Sequence, residues 1–407
     1  MQIKEVLARK VLNSKNEETI AVTVKTEKTF EASAPEGSSK GKHEVRAFSI
    51  RGIDFSVRLI NALQRPIQQL TFETFEDLAK IEELVRKFDK TKDFSLIGGN
   101  ALYALETAVL KAMAFSQGKE LWQFLAGEKK IEMPIPLGNC IGGGKHTKQE
   151  LKTDFQEFLI MPETKNFSDA YFINLQAYKE AKALLKEKDK TWHNTLTYEN
   201  ALAATLDNEK VLEIMLEVRD KIKEKFNIKL KLGVDIAANS LWQAKHYKYK
   251  NFSEKKKQKA LTNEEQKQYI EELIKKYNLF YVEDPFHEEA FDYFAALTRT
   301  TNCLVCGDDL TCTSLERVEK AIKLKAINAI IIKPNQVASL LETKKVIDLV
   351  RKHDLIPIIS HRSGETSDNA LAHFAVGWQI PIIKAGILGK ERFAKLHELL
   401  RIERKLG

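Results

Sequence analysis

The chain has 407 residues, too many for one ordinary core and enough for two domains, one of which could be a barrel. Hydrophobic residues make up 43% and aromatic residues 9%, with few glycines and prolines, which excludes a disordered or fibrous chain. The formal charge of +8 comes from lysines interleaved with glutamates, as in LLKEKDK and VRDKIKEKF, the pattern of solvated helix faces; no specific nucleic-acid binding is expected, whereas a positive field suits an anionic metabolite.

The opening residues, MQIKEVLARKVLNSK, carry charges every few positions and no apolar stretch of signal-peptide length, which makes the cytoplasm the expected compartment. The longest apolar runs, such as Ala329-Ile330-Ile331-Ile332, are too short to span a bilayer, so no transmembrane segment is expected. Residues 1–128 predict an α+β capping domain, a three-stranded meander plus helices. Thr19-Ile20-Ala21-Val22-Thr23-Val24 alternates with the period of a half-buried strand, flanked by IKEVLARKVL and TFEASAP as partners. Helical patterns follow in FSVRLINAL, FEDLAKIEELVRKF and a segment opened by Gly98-Gly99-Asn100, where Asn100 is the expected cap. The proline-bearing EMPIPLGN marks the boundary with residues 129–407.

There the pattern changes. The apolar runs KLKLGVD, NLFYVED, CLVCGDD, AIIIK, LIPIISH and IPIIK recur, separated by amphipathic stretches of helix length such as ASLLETKKVIDLVRKH. Apolar strands alternating with helices predict a parallel sheet covered on both faces, and six such units with room upstream for more predict a β/α (TIM-like) barrel. The four cysteines are too few and uneven for a disulfide framework; Cys303-x-x-Cys306 has no second pair to complete a zinc site and is expected to pack as small buried hydrophobes.

Each of the six runs ends in an ionisable residue: Asp235, Glu283, Asp308, Lys333, His361 and Lys384. In a barrel the C-terminal strand ends meet at one face, where active sites are built, so these scattered groups become one ring. Three converging carboxylates, Asp235, Glu283 and Asp308, repel one another unless a cation lies among them, and all-oxygen ligands suit Mg²⁺. A lysine near such cations, partly desolvated, has a lowered pKa and can serve as a base. Carboxylate-bound metal facing a lysine suits removal of a proton from the carbon beside a carboxylate.

The motifs APEGSSKGKHE, GGNALYALETAV, PIPLGNCIGGGKH, QEFLIMP, GVDIAANSLW, VEDPF, GDDLTCT, IIKPNQVASLLET, SHRSGETSD and LLRIERKLG occur in that order along nearly the whole chain. In them the sequence resembles the enolase family, of which SHRSGE and KPNQ are the most specific marks. The resemblance implies an α+β N-terminal domain followed by a barrel of the enolase type. It also implies reversible dehydration of 2-phosphoglycerate to phosphoenolpyruvate, as in glycolysis. By resemblance, Asp235, Glu283 and Asp308 hold a first Mg²⁺, and Ser39 on the loop Gly37-Ser38-Ser39-Lys40-Gly41 helps bind a second that enters with substrate. Lys333 is then the base at C2, and Glu199, helped by Glu157, the acid that protonates the leaving C3 hydroxyl. Lys384 contacts the substrate carboxylate, Arg362 and Ser363 grip the phosphate, and His146 sits on a loop that closes over the site. His361 is a contact residue and Gln156 an orienting group. A homodimer or higher homo-oligomer is expected.

Three features depart from the family pattern. The acid stands in Thr197-Tyr198-Glu199-Asn200-Ala201, without the usual glycines and acidic neighbour. Lys15, in Ser14-Lys15-Asn16-Glu17-Glu18, replaces an expected arginine, and the loop GGGKHTKQELKTDFQE is about one residue longer than usual. Two alternatives stay open: an enolase-like enzyme for another carboxylate substrate, and an enolase-fold binding protein displayed at a cell surface.

Overall fold

The computed structural model describes residues 1–38 and 41–407. Strands β1 (Glu5–Leu12), β2 (Glu18–Lys25) and β3 (Thr29–Ser33) form an antiparallel meander in that order. Ile20, Val22 and Val24 of β2 are fully buried, and β2 and β3 pack on the helix Gly99–Ser116. That helix is buried on nearly every side, as a helix apolar all round must be; the meander takes one face and the barrel another.

Its start differs from expectation. Gly98 holds the cap position at φ +87°, and a Cβ there would lie 2.6 Å from the Phe48 Cα, so only glycine fits. Asn100 is carried into the helix, where its amide donates to the Pro35 carbonyl (3.1 Å) and its oxygen accepts from Asn335 (3.1 Å). The residue expected to begin a helix instead ties the small domain to the barrel.

The barrel strands are β4 (Ile135–Pro136), β5 (Gly138–Gly142), β6 (Glu157–Pro162), β8 (Leu230–Asp235), β12 (Tyr281–Glu283), β13 (Leu304–Gly307), β14 (Ala329–Ile332), β15 (Ile356–Ser360) and β16 (Ile382–Lys384). Outside the ring lie β7 (Leu202–Ala203), paired with β5, and a small antiparallel sheet of β9 (Trp242–Gln243), β10 (His246–Tyr249) and β11 (Lys259–Leu261). Strand order is β4-β16-β15-β14-β13-β12-β8-β6-β5. Because β4 and β5 belong to one extended segment, pairing with β16 at its start and with β6 at its end, that segment closes the ring. The Leu137 amide, between the two, donates to the Ile383 carbonyl (2.9 Å).

Closure holds as expected, but uniform direction does not. The strand β6 runs antiparallel to both β5 and β8, because β5 returns through the loop 143–156 as a hairpin rather than through a helix. Its first residue, Glu157, therefore stands level with the last residues Asp235 of β8 and Glu283 of β12. Inside the ring an apolar layer including Leu159, Met161, Ile331 and Ile358 fills the bottom, so the barrel is a packed core and the charged rim lies above it. The four cysteines are buried and unbridged. Among the described residues no helix is long and apolar enough to cross a membrane.

The C-terminal helix Lys390–Leu406 returns to the small domain through Glu120, which accepts from Arg401 (2.5 and 3.0 Å) and Lys405 (2.7 Å). The hydrogen bonds from Arg401 hold the Glu120 carboxyl at about 2, against the upward push of partial burial. A depressed carboxyl contributes stability that is present above its ordinary value and is lost as pH falls through the depressed one. Glu120→Gln is expected to melt about 1–3 °C below the parent at neutral pH, with the gap closing as pH falls from its ordinary range toward 2. A gap that ignores pH in thermal melts would count against this bridge.

Candidate active site

A small cavity of about 20 Å³ lies at the barrel mouth, lined by Gly37, His146, Gln156, Glu157, Glu199, Asp235, Lys333, Ser360, His361, Arg362, Ser363 and Lys384. Ten residues singled out from the sequence thus share one wall-to-wall space. Glu283 and Asp308 join it through the lysines they bind, and Ser39 lies outside the described residues.

The ring order decides what faces what. Lys333 follows β14, and four steps around the eight-membered ring lies β6, which begins at Glu157. The amine and the Glu157 carboxyl therefore come from diametrically opposed strands. Lys384, at the end of β16, sends its ammonium to Glu157 (3.0 Å), Asp235 (3.1 Å) and Glu283 (2.7 Å). Burial alone would pull this lysine down, but Asp235, Glu157 and Glu283 reverse that and hold it well above its ordinary value.

Lys333 pairs with Asp308, whose other oxygen accepts from Gln336 (3.1 Å). Here the electrostatics differ from the sequence expectation of a lowered pKa. Burial would lower Lys333, yet the charge of Asp308 outweighs it and holds the lysine up. The reason is local: with Asp308 as its immediate neighbour, the ammonium form is favoured. Asp308 is itself placed by Asp284, a residue of the VEDPF turn with φ +40°, which accepts from the backbone amides of Asp308 (3.0 Å) and Asp309 (2.7 Å). Asp284, Asp308 and Asp309 present oxygens within 4.8 Å of one another.

Across the cavity, Glu199, Glu157 and His146 form a second cluster of ligand-type atoms within 4.8 Å. His146 Nδ1 lies 3.5 Å from Glu157 and 3.8 Å from Glu199; His361 Nε2 lies 3.2 Å from Glu199, which also accepts from Asn139 (3.3 Å). Burial raises Glu157 well above the usual carboxylate range, whereas Glu199, which burial would also raise, is held low by His361 and His146.

The altered surroundings of Glu199 form a well-made turn. Asn200 takes the left-handed conformation at φ +64°, which asparagine tolerates. The Thr197 hydroxyl accepts from the amides of Glu199 and Ala201 (both 3.2 Å), and Thr197 and Ala201 close the turn through their backbones (2.8 Å). Asparagine supplies the left-handed residue of this turn and threonine its side-chain acceptor. The loop 143–156 is tied to the same turn, since the Tyr198 amide donates to the His146 carbonyl (2.9 Å). Lys15 stands at the rim, with its ammonium 3.0 Å from Ser38 and 2.7 Å from Glu17.

Arg362 is buried; its Nη2 donates to both carboxylate oxygens of Glu44 (2.8 and 3.1 Å) and its Nη1 to the Asn335 side-chain oxygen (3.1 Å). Ser363 accepts from the Ser38 amide (2.7 Å) and bonds its hydroxyl (2.9 Å). Gln156 donates to Asp235 (3.2 Å). Glu44 and Asn139, unassigned from the sequence, both lie inside motifs already noted, APEGSSKGKHE and PIPLGNCIGGGKH. Arg392, which is fully buried and donates to the carbonyls of Arg362 (3.2 Å) and Ser363 (2.9 Å), sits in an ordinary-looking amphipathic helix and carries no sequence signal.

Oxygens of the kind a hard divalent cation takes line this rim: the Glu283 carboxylate Oε1 and the Gln156 amide Oε1 are buried with no hydrogen-bond partner among the described residues, an arrangement a cation relieves. Among the described residues, the groups whose ligand atoms lie within 4.8 Å of one another are Asp284–Asp308–Asp309 and His146–Glu157–Glu199, and Asp235 and Glu283 stand in neither. Fold and site together define a β/α-barrel enzyme that gathers acids and lysines at one rim, a constellation suited to forming an enolate from a carboxylate. Comparison with known proteins narrows this class. The profile for the enolase C-terminal TIM barrel domain matches residues 130–407 and that for the enolase N-terminal domain matches residues 3–125. Similar curated proteins include the enolase of Methanosphaera stadtmanae, 38% identical over 99% of this chain and 97% of that protein, and the enolase of Archaeoglobus fulgidus, 37% identical over the same shares. The enolase of Picrophilus torridus is 34% identical over 100% of this chain and 99% of that protein. The chain belongs to the enolase family.

Proposed function

We infer that this enzyme is a carbon–oxygen lyase that converts 2-phosphoglycerate reversibly to phosphoenolpyruvate, the glycolytic dehydration. The observation that carries the residue assignments is one cavity lined by both Lys333, from β14, and Glu157, from the diametrically opposed β6, with Glu199 beside Glu157. Such a pair of proton-handling groups on opposite sides of one substrate is what removal of a C2 proton and of a C3 hydroxyl requires.

Asp235, Glu283 and Asp308 would hold Mg²⁺. Bound there, the ion would supply positive charge that stabilises the substrate carboxylate as C2 loses its proton. Lys333 takes the C2 proton. Glu199 donates to the departing C3 hydroxyl, helped by Glu157 beside it, with His361 and His146 setting its position. Lys384 contacts the substrate carboxylate, with Gln156 holding Asp235 in place. Arg362 and Ser363 receive the phosphate, a task for which a guanidinium fork is suited; Glu44 engages its Nη2 in this structure. By resemblance, the loop bearing His146 closes over the site, excluding water from the reaction. A second Mg²⁺ entering with substrate near Ser39, a homodimer or larger homo-oligomer, and a cytoplasmic location complete the reading, all three supported by the family resemblance.

The test is phosphoenolpyruvate formation from 2-phosphoglycerate, followed by absorbance with and without Mg²⁺. Glu199→Gln is expected to slow it by about 10²–10⁴-fold. An unchanged rate would move the acid to another residue, with Glu157 next in line.

A further inference from the structure

We propose that Tyr281 is a positioning residue of the metal site, committing one oxygen of Glu283 to the protein and leaving the other for the divalent cation. The proposal rests on the reading above that Glu283 is a Mg²⁺ ligand. Tyr281 precedes Glu283 by two residues on β12, so both side chains point into the barrel. The Tyr281 ring is fully buried and its hydroxyl donates to Glu283 Oε2 at 2.6 Å. The same oxygen accepts from Lys384 at 2.7 Å, while Oε1 has no hydrogen-bond partner among the described residues.

The surroundings show that the hydroxyl matters and the ring is not mere filling. Tyr281 belongs to the apolar layer inside the barrel, among Leu159, Ile331 and Ile358, where the Cys306 thiol is the other polar group of the cluster. A buried phenol needs a partner, and a phenylalanine would fill the same volume without one. The fold also makes room for it. Gly233 on β8 is the register partner of Tyr281, and a Cβ there would stand 2.9 Å from the tyrosine Cβ and 3.1 Å from its Cδ1. A glycine on one strand therefore admits the ring on the next, and the ring delivers a donor to the carboxylate two residues on. Donors behind a metal ligand fix its orientation, and their loss weakens metal binding by about 10–100-fold.

The test is Mg²⁺ binding to the full-length protein by calorimetry, without substrate, for the parent, Tyr281→Phe and Cys306→Ala. Tyr281→Phe is expected to bind Mg²⁺ about tenfold more weakly, with a smaller rise in melting temperature on adding Mg²⁺ and little change in the metal-free melt. Cys306→Ala is expected to keep the parental affinity. Parental affinity in Tyr281→Phe overturns the proposal, as does a Tyr281→Phe chain that fails to fold, since the hydroxyl would then serve the fold. Equal weakening in Cys306→Ala overturns it too, because packing alone would explain the loss. A parent that binds no Mg²⁺ removes the metal reading itself, a result distinct from any of these.

Discussion

In Lys333→Ala, with Mg²⁺ and saturating 2-phosphoglycerate, phosphoenolpyruvate formation is expected to fall by about 10⁴-fold or more while the protein stays folded. Among the described residues no second amine can stand in. The other lysine of the cavity, Lys384, is on β16 and is bound to Glu157, Asp235 and Glu283, whereas Lys333 stands beside Asp308. The barrel should survive, because Lys333 projects from the rim above the apolar layer and Asp308 keeps its bonds to Gln336 and to its own backbone turn. Two measurements separate the roles. Exchange of the C2 hydrogen of the substrate with solvent should vanish together with turnover, and far-ultraviolet circular dichroism should match the parent. Surviving C2 exchange in Lys333→Ala would mean that another group is the base.

Lys384→Ala should act first on stability. Its ammonium is the shared counter-charge of Glu157, Asp235 and Glu283, all buried. Removing one partner from a buried ionic group leaves uncompensated charge and costs about 3–5 kcal/mol. The pH dependence has a definite sign. Burial raises Glu157 well above its ordinary range and lifts Glu283 to about 7, with Lys384 opposing both shifts. Without the lysine both carboxyls move further up. A raised carboxyl favours the folded state when protonated, so stability is retained in acid and lost as pH rises through the raised value. The variant should therefore melt closest to the parent in mild acid and furthest below it above neutrality. Mg²⁺ should recover part of the loss by supplying the missing positive charge. A metal-free melt equal to that of the parent at pH 8 would show that the carboxylates do not depend on this lysine.

Several features of the site are legible in the chain itself. Asp235, Glu283, Asp308, Lys333, His361 and Lys384 each end an apolar run, and the end of a run is a local property of the chain. The Tyr198–Glu199 segment can be located in the sequence but not explained there: that Asn200 adopts a left-handed turn and that Thr197 bonds two amides follow from a turn closed by Ala201. Asn100 has the local setting of a helix cap because it opens an apolar-periodic stretch; Gly98 takes that place since the neighbouring Phe48 backbone leaves no room for a side chain.

By itself the sequence determined the barrel class, the family and the charged strand ends, since hydrophobic period and motif order are written along the chain. Only the tertiary structure decided which groups meet. The reversed direction of β6 sets Glu157 beside Asp235, ring closure through 135–142 puts Lys333 across from them, and Arg362 finds Glu44 over a separation of 318 residues. Tyr281 reaches Glu283 because Gly233 on the adjacent strand leaves space. These are consequences of register and closure, which depend on the packing of the whole ring and on no local pattern of residues.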